Sequence, residues 1–177
     1  MIYPWQVRQW QQFAQARAQA RVAHALLLTG MPGVGKLEFA HAAAAALLCL
    51  QPRADGHACD TCRACELRAA GTHPDHAVLT PEEDSDSIKI DQVRGVLEFM
   101  VLTRHLGHYK VVVIHPADAL LVNAANALLK TLEEPVPGAV FLLVSARPGR
   151  LPATVRSRCQ QLAFLPARGP ALSWLTP

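Results

Sequence analysis

The chain has 177 residues, 51% of them hydrophobic and 18% charged, with a formal net charge of +3. That length and apolar content suffice for one domain with a sizeable core and exclude a disordered polymer. No apolar run reaches the roughly 18–20 residues that span a bilayer, and +3 is too weak a charge to imply nucleic-acid binding by itself. The start, Met1-Ile-Tyr-Pro-Trp-Gln, lacks the basic-then-apolar pattern of a secretory leader. A cytoplasmic location is therefore expected, where cysteines are more often metal ligands than disulfides.

Residues 5–23 mix Trp5, Val7, Trp10 and Phe13 with Gln and Arg and read as an amphipathic first helix. Ala25–Thr29 is a short apolar run ahead of a glycine turn, hence a buried strand. Gly30-Met-Pro-Gly33-Val34-Gly35-Lys36-Leu37 follows and matches the phosphate-binding pattern G-x-x-x-x-G-K-[ST] up to its last position. The glycines let backbone N–H groups face phosphate oxygens, and Lys36 adds a point charge for the outer phosphates. The final hydroxyl would ligate Mg²⁺, and Leu37 has no oxygen. Strand, glycine loop and a helix from Lys36 to about Leu50 form the context this motif requires. The loop then either binds the phosphates of ATP or ADP with impaired Mg²⁺ binding, or only shapes a turn.

Cys59-Asp-Thr-Cys62-Arg-Ala-Cys65 spaces three thiols two residues apart, and Cys49 sits ten positions upstream. Four thiolates suit tetrahedral Zn²⁺ in a closed site that stabilises structure rather than catalysing a reaction. His57, His73 and His76 are competing ligands if Cys49 is buried elsewhere, and an iron–sulfur cluster is a further option. Cys159 reads as a small packed residue. The rest of 51–75 reads as an irregular insertion.

A second strand is expected at His76–Thr80, then an acidic solvated loop over 81–87. Asp91 is a candidate cap for a helix to about Thr103. Lys110–Ile114 is a third buried strand. Magnesium-dependent ATPases place carboxylates at the end of such a strand, but here His115 and Pro116 follow, and Asp118 falls three positions beyond His115 as a loop or helix-start residue. A helix over 123–134 must stop before Pro135. Ala139–Ser145 and Gln160–Leu165 complete five strands. Strands alternating with helices imply an α/β fold with a parallel sheet covered on both faces. Residues 166–170 read as a linker, so the chain is read as a piece of a longer protein or a natural truncation.

The strings Ala124-Ala-Asn-Ala-Leu-Leu-Lys-Thr-Leu-Glu-Glu-Pro135, Phe141-Leu-Leu-Val-Ser-Ala146 and Ser157-Arg158-Cys159 stand beside the P-loop and the four cysteines. In combination they resemble the clamp-loader ATPase family of bacterial DNA polymerase III. The resemblance implies an AAA+ P-loop domain over 1–166, a three-layer sandwich with a five-stranded parallel sheet. It also implies a zinc module at about 49–66 and the start of a helical lid at 167–177. One subunit class in this family carries a four-cysteine zinc module and commonly acts as a non-hydrolysing stator. Its implied metal ligands here are Cys49, Cys59, Cys62 and Cys65. Its implied partners are the tau/gamma ATPase subunits and a delta subunit in a hetero-pentamer, the sliding clamp, and primed DNA reached through the complex. By motif match, Arg158 points into the ATP site of a neighbouring subunit, with Arg156 as the nearby control. The family's polar sensor position falls at Ala146.

Two other readings start from the same residues. An active ATPase needs replacement oxygens for Leu37, His115 and Pro116. A zinc-dependent nucleic-acid binder would use Cys59–Cys65 with Arg53, Arg63 and Arg68.

Overall fold

The computed structural model describes residues 2–166. The expected linker and lid start at 167–177 lie outside the described residues. A short 3₁₀ turn at Pro4–Gln6 leads into helix α1, Val7–Ala18. Strand β1 is Ala25–Thr29, helix α2 is Lys36–Leu48, and helix α3 is Arg63–Ala69. Strand β2 is His76–Leu79, helix α4 Ile90–Val101, and strand β3 Lys110–Ile114. Helices α5 and α6 are Val122–Ala127 and Leu129–Glu133. Strand β4 is Ala139–Ser145, helix α7 Ala153–Arg156, and strand β5 Gln160–Ala163.

The five strands form one parallel sheet in the order β2-β3-β4-β1-β5. From β1 the chain runs to the far edge, walks back through β3 and β4, and then crosses β1 to place β5 beyond it. Strand β1 thus lies at the reversal of strand order, the usual place for a ligand crevice at the carboxyl ends of the strands.

Period-two alternation divides the core. Leu26, Leu28, Val111, Val113, Val140, Leu142 and Val144 face α1 and α2, where Trp10, Phe13, Phe39, Ala43 and Leu47 meet them. Ala25, Leu27, Val112, Ile114, Phe141 and Leu143 face the other side and pack with Val93, Met100, Leu128, Leu132 and Val155 of α4 to α7. The small residues Ala40, Ala43 and Ala44 let α2 approach the sheet closely, and Phe39 fills the space between Trp10, Phe13 and Phe164 with edge-on ring contacts.

Several expected elements change in detail. The first helix stops at Ala18 because Ala20 adopts a left-handed conformation at φ 52°. The insertion at 51–75 is not wholly irregular, since α3 starts directly after Cys62. Helix α4 is entered at Lys89, whose N–H donates to Gln92 Oε1 at 3.0 Å, and Asp91 falls in the first turn instead of at the cap. The helix expected over 123–134 is interrupted at Leu128, where a tighter bond from Leu128 N–H to the Ala125 carbonyl closes the turn. Strand β5 ends at Ala163, because Phe164 turns its ring into the core against Phe39.

Candidate functional site

The P-loop leaves β1 at the carboxyl end of the sheet. Gly30 has φ 147°, and a Cβ there would stand 2.3 Å from the Phe164 carbonyl oxygen. Gly35 has φ 80°, and its Cβ would meet the Tyr3 ring at 2.5 Å. Both positions therefore need glycine for conformation and for space. Gln6, fully buried, donates through Nε2 to the Val34 carbonyl at 2.9 Å and the Gly35 carbonyl at 2.8 Å. Trp5 adds a bond from its indole N–H to the Val34 carbonyl at 3.1 Å. No local pattern marks Gln6 for this role, because its partners lie 28 and 29 residues away.

Lys36 is buried, and its ammonium donates to the Gly30 carbonyl at 2.7 Å and the Met31 carbonyl at 2.6 Å. Burial lowers its pKa, with the carboxylates of Asp118 and Glu38 opposing. The adjoining cavity, about 350 Å³, is lined by Tyr3, Gly33, Gly35, Lys36, Leu37, Glu38, His115, Pro116 and Ala146, with Pro32 and Val144. The fold thus brings together the positions singled out in sequence at Leu37, His115, Pro116 and Ala146. His115 has its pKa lowered, first by burial and then by Lys36.

Asp118 does not line this cavity. Its Oδ1 accepts from Ser145 Oγ at 2.8 Å and from Ala146 N–H at 3.0 Å, tying the loop after β3 to the end of β4. Burial raises the pKa of this carboxyl, but the hydrogen bonds led by Ser145 outweigh it and hold the group below its usual value. No sequence motif singles out Glu38 as a cavity residue. Among the described residues it is the one carboxylate in the lining, on the exposed side of the first turn of α2, and it also lines a neighbouring groove with Arg53 and His57.

The four cysteines converge at the opposite end of α2. Their sulfurs all lie within 4.8 Å of one another. Cys49 Sγ is 3.5 Å from Cys59 Sγ and 3.9 Å from Cys62 Sγ. Cys65 Sγ is 4.0 Å from Cys59 Sγ and 3.6 Å from Cys62 Sγ. Tetrahedral Zn–S bonds of about 2.3 Å would set such edges near 3.8 Å, so the donor set and its size fit a four-coordinate thiophilic ion. Backbone N–H groups of Cys59 and Cys62 point at the sulfurs of Cys49 and Cys59, each at 3.3 Å. Hydrogen bonds from Thr61 draw the Cys59 thiol down to about 6, whereas burial pushes Cys65 up to about 12.

The competing histidines are engaged otherwise. His57 stacks on Trp10 at 4.2 Å, and His73 Nδ1 accepts the Asp75 N–H at 3.1 Å. His76 is not in the cysteine cluster. Cys159 is a packed residue, donating to the Val155 carbonyl, and burial lifts its thiol to about 11. Arg53 and Arg68 are spent on Asp60, at 3.0 and 3.4 Å, and Arg63 lies 3.7 Å from Glu66.

Arg158 sits between α7 and β5. Its Nη1 donates to the Thr154 carbonyl at 2.8 Å, and its Nη2 lies 2.6 Å from Glu133 Oε1. Gln160, the first residue of β5, pairs with Leu26, four positions before Gly30, and Arg158 precedes it in the turn that closes α7. Four positions at the rise of a strand are roughly 13 Å, and Arg158 lies ahead of that point. The guanidinium and the P-loop of the same chain therefore occupy opposite ends of the sheet.

Residues 5–168 match the family described as DNA polymerase III, delta subunit. The chain belongs to the DNA polymerase III delta-prime family. It is 52% identical over 175 residues to DNA polymerase III subunit delta' of Pseudomonas aeruginosa, covering 98% of this chain and 52% of that protein. It is 42% identical over 177 residues to the Escherichia coli subunit delta', again covering 98% and 52%. The chain thus spans about half the length of these relatives. A DNA polymerase III gamma subunit-related protein of Thermotoga maritima superposes with a TM-score of 0.66 at 23% identity, over 90% of this chain and 46% of that one. That likeness concerns the fold, which is the AAA+ type of P-loop α/β sheet with the four-cysteine cluster added. No described helix of this delta-prime chain is long and apolar enough to cross a membrane.

Proposed function

We propose that this chain is the P-loop domain of a clamp-loader subunit that does not hydrolyse ATP itself but donates Arg158 to a neighbour's ATP site in DNA replication. The observation that carries the reading is the place of Arg158 ahead of β5, at the end of the sheet where the strands begin, whereas its own P-loop leaves β1 where the strands end. An arginine there serves a phosphate on another protomer, not one in its own loop. A guanidinium suits the task because it is always charged and binds phosphate oxygens through two donors.

At its own site, Gly30, Gly33, Val34, Gly35 and Lys36 remain able to cradle phosphates of ATP or ADP. Leu37, His115, Pro116 and Ala146 offer no hydroxyl or carboxylate oxygen for Mg²⁺. The partners under this reading are tau/gamma ATPase subunits and a delta subunit in a pentamer, with the clamp and primed DNA engaged through the assembly in the cytoplasm. Cys49, Cys59, Cys62 and Cys65 would hold a structural Zn²⁺. Four thiolates leave no open coordination position, so the ion would brace the insertion and take no part in hydrolysis.

The test uses the full-length subunit reassembled with its ATPase partners, clamp and primed DNA. Arg158→Ala should depress stimulated ATP turnover, and Arg156→Ala should not. Unchanged turnover with Arg158→Ala would remove the donor role. Glu38 favours one second reading, an active ATPase in which that carboxylate replaces the missing magnesium ligand. Magnesium-dependent single-turnover hydrolysis by the isolated subunit, abolished in Glu38→Gln and in Lys36→Ala, would establish it instead.

A further inference from the structure

We infer that Glu133 is a positioning residue for Arg158. This rests on the donor reading of Arg158 and adds to it the group that aims the guanidinium. Glu133 is the last residue of α6, and the chain turns away before Pro135. A carboxylate at a helix C-terminus faces the negative end of the helix dipole and is disfavoured there. Its neighbour Leu132 is buried in the core, which fixes the position of Glu133 on the rim.

The compensating charge is Arg158, with Nη2 2.6 Å from Glu133 Oε1. The Thr154 carbonyl receives a hydrogen bond from Nη1 at 2.8 Å. Two acceptors from two different helices thus hold both terminal nitrogens of one planar fork. The other N–H donors of the fork remain for a phosphate. The pair is accessible, with 34% of the arginine side chain and 49% of the glutamate side chain exposed. Such a pair adds little to folding stability. Its consequence is the orientation of a side chain that otherwise has many rotamers, and a misaimed catalytic group costs rate even when it is present.

The Leu-Glu-Glu-Pro string and the Ser-Arg-Cys string are thereby two halves of one device, although 25 positions separate Glu133 from Arg158. Thr154 contributes through its backbone, so its side chain is not part of the device.

The experiment measures clamp- and DNA-stimulated ATP hydrolysis by the reassembled loader with full-length subunits. The series is wild type, Glu133→Ala, Glu133→Gln, Arg158→Ala and the Glu133→Ala/Arg158→Ala double variant. Glu133→Ala should lower kcat about three- to tenfold with KM for ATP unchanged. Glu133→Gln keeps the side-chain length and an acceptor oxygen and should restore at least half of the lost rate. In the Arg158→Ala background, Glu133→Ala should have no further effect. A thermal melt of each variant subunit should match wild type.

If Arg158→Ala slows turnover and Glu133→Ala does not, the positioning role is overturned and the donor role stands. Equal losses from Glu133→Ala with and without Arg158 would also overturn it, because the glutamate would then act independently. If Arg158→Ala itself changes nothing, both ideas fall together.

Discussion

The two ends of the sheet differ in what they were given. At the carboxyl end, the P-loop keeps its glycines and Lys36, yet the walls contributed by Leu37, His115, Pro116 and Ala146 lack ligating side-chain oxygens. At the amino end lie the four-cysteine cluster, the fully buried Asp75 with Lys110 3.7 Å away, and the Arg158–Glu133 pair. The polypeptide gathers its thiols where the strands begin, and where they end it keeps Lys36, Glu38 and Asp118 but has no ligating side-chain oxygen at positions 37, 115, 116 and 146. In an ATPase that works alone, the carboxyl end carries the reaction. Under the proposed reading, the amino end here supplies an arginine to a neighbour and a metal site that braces the fold.

The largest effect that would break this contrast concerns rate. Under the proposed donor role, Arg158→Ala should slow hydrolysis at the neighbour's site by about 10³-fold or more, the scale of arginine fingers in related systems. Lys36→Ala in the same assembly should change turnover less than about threefold, a bound set against that scale. Single-turnover measurements on the reassembled loader check both, and a reversed order would put the chemistry back at the carboxyl end.

Next is the buried pair. Asp75 accepts N–H bonds from His105 at 3.0 Å and Leu106 at 2.7 Å, and Lys110 donates to the Leu102 carbonyl at 3.1 Å and lies 4.5 Å from the Phe99 ring centroid. Asp75→Ala leaves Lys110 buried without its carboxylate and should cost about 3–5 kcal/mol in urea unfolding. Metal removal has a similar scale. With zinc a thousandfold above its Kd, binding contributes about 4 kcal/mol to the folded state. Cys65→Ser or chelation should therefore lower the melting temperature, with one zinc per chain lost by elemental analysis. A chain that melts identically with and without metal would leave the amino end without its brace.

His76, at the start of β2, sharpens the contrast through pH. Burial brings its pKa down from 6.5 to about 4, with His41 and His73 adding to the effect. The folded state therefore binds fewer protons than the unfolded chain between these values. Stability is fully present above about pH 6.5 and is lost as pH falls toward 4, by up to roughly 3 kcal/mol. His76→Gln should flatten that limb in urea titrations at pH 7.5 and 5.0. The smallest effect belongs to the P-loop. Gly35→Ala forces a Cβ against the Tyr3 ring at a positive φ and should cost about 1–3 kcal/mol, while turnover by the partners stays near wild type.

Much of this was legible in residue order. The five strands were visible as short apolar runs, because strands buried on both faces carry apolar residues at every position. The thiol cluster was visible because Cys59, Cys62 and Cys65 cannot be far apart at that spacing, and Cys49 joined them through the end of α2. The deficient wall was visible because Leu37, His115 and Pro116 are defined by position relative to a loop and a strand end. Glu38 carries no sequence signal because a carboxylate in a first helical turn is ordinary, and only the folded chain shows it lining the cavity.

Sequence alone determined which chemical groups exist and which strand or loop each one follows, since those depend on local periodicity and on the geometry of neighbouring residues. Only the tertiary structure decided their company. Gln6 meets Val34, Asp118 meets Ser145, and Glu133 meets Arg158 across separations of 28, 27 and 25 positions. These pairings come from the order of strands in the sheet and from helices packing across it, and no local sequence signal encodes which distant side chains will share an edge.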